Sequence, residues 1–178
     1  DLPRAREEGA KITTILSHEA SSAVNHITGS SATKESLTSQ FANTEFFHYA
    51  GHGSFEGSRG WSSALPLAND SELNLSDILA LPNSPRYVVL TGCETARSDT
   101  NVELESIGLA QAFVLSGSEG VVAATRPIRD ELGMAVAEGL YAELRRGTPL
   151  EPSLQKALLE VAKNSPESDW PSFRILKP

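Results

Sequence analysis

The sequence predicts an α/β fold, a parallel sheet with helices on both faces. Three runs carry this expectation: Glu45-Phe46-Phe47-His48-Tyr49-Ala50, Tyr87-Val88-Val89-Leu90-Thr91 and Gly120-Val121-Val122-Ala123-Ala124-Thr125. Each is a nearly unbroken apolar stretch of strand length, the pattern of strands buried on both faces. Stretches with helical periodicity alternate with them, which implies crossover connections between parallel strands.

The elements follow in order. Residues 2–16 place Ala5, Ile12, Ile15 and Leu16 at helical spacing. A short strand is expected near residues 23–27. Thr33 is placed to cap a helix whose apolar face includes Leu37 and Phe41. Residues 51–63 are rich in Gly and Ser and predict a long loop, a kind of segment that often carries function. Ser76 is expected to cap a short helix holding Ile78 and Leu79, ended by Pro82 and Pro85. Residues 105–116 carry helical spacing with Gly117 as the residue just past the end. Asp130 is expected to cap a helix running to Arg146, with Gly147 beyond it. Thr148-Pro149-Leu150-Glu151 has the pattern of a capping box with Pro at the first helical position, opening a helix to about Lys163. Residues 171–176 predict a last strand.

The chain has 178 residues, enough for one domain able to bury roughly 70% of its unfolded surface without disulfide or metal staples. Its formal charge of −8 makes it a poor electrostatic match to nucleic acid. No apolar run reaches the ~18 residues of a membrane span. The single cysteine, Cys93, forbids an internal disulfide and suits a reducing cytoplasm. The chain begins at Asp1 without a signal-peptide pattern, as expected of a piece of a longer protein.

Two residues stand at matching offsets. His52 lies two residues past Ala50, and Cys93 two past Thr91. In a parallel sheet both positions fall at the carboxyl edge, where ligands bind. An imidazole can take the proton of a nearby thiol, and the thiolate is the attacking species. Alone, a Cys is more often a small buried hydrophobe and a His between glycines a turn residue; the paired placement favours chemistry. Gly51 and Gly53 flank His52 and would let the backbone approach a substrate and present N–H donors to a tetrahedral intermediate. A dinucleotide loop would need Gly where Glu56 stands. His18, His26 and His48 supply no zinc pattern, and His48 is expected as a strand residue, buried or partly so. No cofactor or metal is expected.

Four segments in order resemble the CHAT domain, a caspase-like, separase-related cysteine peptidase family. They are Phe47-His48-Tyr49-Ala50-Gly51-His52-Gly53-Ser54-Phe55, Val89-Leu90-Thr91-Gly92-Cys93-Glu94-Thr95-Ala96, Ile107-Gly108-Leu109-Ala110-Gln111-Ala112-Phe113, and residues 120–131 from Gly120 to Glu131. The resemblance extends weakly to both ends of the chain. It implies a caspase-like, mostly parallel sheet, with the family's first strand absent from this chain. It implies His52 as general base, Cys93 as nucleophile, and the N–H groups of Gly53 and Cys93 as oxyanion hole.

By the same resemblance, substrate pairs along Thr125-Arg126-Pro127, and Asp130 receives a basic substrate side chain. Arg126 and Arg129 depart from the residues common there, a Trp and an Asp. The implied partners are a protein substrate and an upstream or separate sensor, in prokaryotic defence or CRISPR-linked systems, with no nucleic acid or membrane bound by this domain. The competing expectation is an inactive CHAT-like scaffold that binds partners through the same groove.

Overall fold

The computed structural model of the chain describes residues 3–17, 23–51, 63–91, 102–126 and 128–178. Its strands are β1 (Phe46–Tyr49), β2 (Ala64–Pro66), β3 (Glu72–Asn74), β4 (Tyr87–Leu90), β5 (Gly120–Ala124) and β6 (Phe173–Leu176). Its α-helices are α1 (Pro3–Leu16), α2 (Lys34–Thr38), α3 (Leu75–Leu79), α4 (Val102–Leu115), α5 (Asp130–Arg145) and α6 (Leu150–Asn164). The chain divides into two compact units, residues 27–127 with 173–178, and residues 1–26 with 128–172.

The first unit holds the sheet, in the order β1-β4-β5-β6. β1 and β4 run parallel, as do β4 and β5, and β6 closes the far side antiparallel to β5. The sheet is thus mostly parallel, as the three apolar runs predict. Every residue of β5 is buried, and Val88, Val89 and Leu90 of β4 are buried on both faces. β1 differs from the expectation of a strand buried on both faces: only Phe47 is buried. Among the described residues β1 stands at the sheet edge, so no second strand shields Phe46, His48 and Tyr49.

One face of this sheet carries the core. Val88 and Leu90, Val121 and Ala123 alternate onto it, and Leu109, Ala110, Ala112 and Phe113 of α4 pack there. Phe47 lies between Phe41 and Phe113, with ring centroids 5.0 and 6.1 Å away. Such tilted aromatic pairs add to the burial of their apolar area.

Helix ends show where side-chain chemistry competes. Thr33 caps α2, its side chain accepting from the Ser36 N–H. Asn74, not Ser76, caps α3, in a reciprocal box with Asp77; Ser76 instead donates its hydroxyl to Asn74. Gly117, at φ +114°, ends α4 as expected. The N–H of Gly117 donates to Val114 O and that of Ser118 to Phe113 O, a Schellman closure of the last carbonyls. β2 and β3 form a hairpin turning through Asn69 and Asp70, both with positive φ.

In the second unit α5 packs against α1 and α6. Its interior holds Ile12, Val136, Ala137, Leu140, Tyr141, Leu154 and Ala157. α5 begins at Asp130 itself, with Arg129 in the cap position and no side-chain cap bond, so Asp130 is a first-turn acid and not the cap. The capping box at residues 148–151 does not form. Extended Pro149 precedes α6, and the Thr148 hydroxyl turns back to Glu143. Residues 23–27 form no strand, because their backbone enters neither sheet.

Candidate active site

The carboxyl ends of β1 and β4 lie side by side. Tyr49 is registered opposite Leu90, and the Thr91 N–H donates to Tyr49 O at 3.3 Å, continuing the ladder one step. Thr91 is buried, so its hydroxyl needs a partner. It donates to Tyr49 O at 3.4 Å and lies at the same distance from His48 Nε2. His48 is a half-buried strand residue, as the sequence predicts.

Tyr49 also bonds through its side chain. Its phenol donates to the Pro66 carbonyl of β2 at 2.8 Å. Tyr49 and Gly51 stand two residues apart, and the ring covers the glycine. A Cβ on Gly51 would lie 2.7 Å from Tyr49 Oη and 2.8 Å from Cζ. A side chain here would have to displace the neighbouring ring, a reason for glycine that stands beside the expected approach of a substrate. Sequence reasoning missed Tyr49, Thr91 and Pro66 as a connected set. The available signal was the spacing, because residues two apart at a strand end point to the same face.

His52, Gly53 and Cys93 lie outside the described residues, as does Pro127. The chain is described to Gly51 on one side and to Thr91 on the other. Thr125 is half-buried and Arg126 exposed, in a bend just past β5, where pairing with β6 ends at Ala124 opposite Phe173. Asp130 is half-buried in the first turn of α5. Beside it, Glu131 is held below the usual carboxylate range, first by a hydrogen bond from its own backbone N–H and then by Arg4 and Arg129. Arg126 belongs to the unit that holds the sheet and Asp130 to the other. Among the described residues no three His, Cys, Asp or Glu side chains gather as metal ligands, and no helix is long and apolar enough to cross a membrane.

A mostly parallel α/β sheet of this kind, with two adjacent strands ending in register, fits the caspase-like class of fold. The CHAT domain family model matches residues 1–176, essentially the whole sequence, and the chain belongs to that family of caspase-like cysteine-peptidase relatives. No curated protein matches it.

Proposed function

We propose that the chain is a cysteine endopeptidase with His52 as general base and Cys93 as nucleophile. The observation that carries the reading is the register of β1 and β4. His52 follows Tyr49 by 52 − 49 = 3 residues, and Cys93 follows Leu90 by 93 − 90 = 3. Tyr49 and Leu90 are direct partners on adjacent parallel strands. Three residues reach at most about 10 Å, so each Cα lies within that distance of one of two paired strand ends, which supports the dyad.

In the proposed reaction the Cys93 thiolate attacks the scissile carbonyl carbon, and the N–H groups of Gly53 and Cys93 receive the developing oxyanion. Collapse breaks the C–N bond while the His52 imidazolium gives its proton to the leaving amine. Water, deprotonated by His52, then hydrolyses the thioester and restores the thiol. The substrate is a protein whose backbone pairs along residues 125–127, and Asp130 receives Arg or Lys before the scissile bond. The thiol requires a reducing compartment, which supports a cytoplasmic location. Family membership supports a place as regulated effector of a prokaryotic defence or CRISPR-linked system, with its sensor upstream or separate. In that role the isolated chain turns over slowly and accelerates when the sensor is supplied.

Labelling by a thiol-directed peptide electrophile tests the dyad. Cys93→Ala must abolish labelling, since Cys93 is the single thiol. The decisive variant is His52→Ala, expected to slow labelling by roughly 10²-fold or more, the scale of a lost general acid–base. Labelling of His52→Ala at the parent rate would favour the inactive scaffold.

A further inference from the structure

We infer that Tyr49 is a positioning residue for the proposed His52–Cys93 dyad, fixing the chain where it leaves β1 toward His52. The inference rests on the peptidase reading and adds a part that the dyad alone does not require. Three observations meet at this residue. Its carbonyl is tied to β4 by the Thr91 N–H at 3.3 Å. Its phenol is tied to β2 by the Pro66 carbonyl at 2.8 Å. Its ring covers Gly51 so closely that a Cβ there would have to displace it.

Residue 49 is thus held from both sides, by β4 through its backbone and by β2 through its side chain. Gly51, the residue directly before His52, is buried beneath the same ring. Among the described residues β1 has one neighbouring strand, β4. The Tyr49 phenol adds a tie to β2. Catalytic geometry is sensitive to such ties, since a misplacement of ~1 Å can cost a hundredfold in rate.

A phenol that only steadies the sheet would act alike at either end. Tyr87 provides the comparison: it opens β4 and donates its hydroxyl to Glu119 at 3.2 Å, remote from the carboxyl edge. Tyr49→Phe and Tyr87→Phe remove the same atom from opposite ends of the sheet.

The test uses the whole chain and two reagents that read Cys93. A peptide electrophile needs an aligned site, whereas iodoacetamide needs only an accessible thiolate. The ratio of the two labelling rates therefore reports alignment, and loosening of the fold alone would raise the iodoacetamide rate. Tyr49→Phe is expected to lower the ratio roughly tenfold with the melting temperature little changed. Gly51→Ala is expected to lower it further, because its Cβ displaces the ring, and the two effects should be non-additive in the double variant. Tyr87→Phe should leave the ratio unchanged. A ratio unchanged in both Tyr49→Phe and Gly51→Ala, while His52→Ala slows labelling by the peptide electrophile, would overturn the positioning role and leave the dyad standing. A peptide-labelling rate unchanged in His52→Ala would overturn both.

Discussion

At Glu143 of α5 one carboxylate gathers donors from α6 and from the turn between the two helices. Lys156 of α6 reaches it at 2.7 Å, the Thr148 hydroxyl at 3.3 Å, and Arg146 completes the set. The Lys156 hydrogen bond, ahead of the opposing effect of burial, holds Glu143 below the usual carboxylate range. A carboxyl whose pKa is lower folded than unfolded favours the folded state above its ordinary pKa. That contribution fades as pH falls through the folded value. Glu143→Gln should therefore melt below the parent at pH 7, and the gap should close in acid below the ordinary carboxylate range. A gap that persists in acid would mean the side chain acts by packing rather than by charge. Burial of Tyr141, with Glu8 nearby, pushes its phenol well above the usual range, so Tyr141 stays protonated throughout that titration. Residues with a proposed chemical role were the legible ones: Cys93 as the single thiol and His52 between two glycines stand out from composition and spacing. Tyr49, Thr91 and Pro66 were not legible, because their bonds join β1, β4 and β2 across the fold. Only the Tyr49–Gly51 spacing hinted at them.

Helix ends were read well where backbone conformation decides and poorly where side chains compete. Gly117 was predictable because a residue past a helix end with φ +114° strongly favours glycine. Gly117→Ala should cost about 1 kcal/mol in chemical denaturation from left-handed strain. A neutral result would show that the turn after α4 relaxes without cost. The cap of α3 was misassigned because Asn74 and Ser76 are both good caps two residues apart. Asn74 holds the position because Asp77 returns its bond at 3.1 Å and is itself anchored by Lys34 at 2.7 Å. Asn74→Ala should destabilise by about 1 kcal/mol, and Ser76→Ala by distinctly less. Equal losses would contradict this assignment of roles. The box at residues 148–151 failed for a related reason: Glu143 competes for the Thr148 hydroxyl. The β2–β3 hairpin went unread because its strands are three residues each. Its one local signal was Asn69-Asp70, two residues that tolerate the left-handed region.

For the whole molecule, the sheet was legible because buried parallel strands announce themselves as apolar runs. Strand order and the antiparallel direction of β6 were not, since neither leaves a local pattern. The partial exposure of β1 has the same origin: Phe46-Phe47-His48-Tyr49 looks like a central strand, and only the absence of a second neighbour among the described residues makes it an edge. Nothing in periodicity alone says that β1 and β4 end together; that comes from their register, on which the proposed dyad depends. The most direct measurement is cleavage of a diverse peptide library, with new amino termini read by mass spectrometry, for the parent chain, Cys93→Ala and His52→Ala. Each is assayed alone and with its sensor region restored. The parent should generate termini preceded mainly by Arg or Lys, faster with the sensor present, and both variants should generate none above background. Termini appearing equally in all three, or absent from the parent under both conditions, would contradict a His52–Cys93 peptidase.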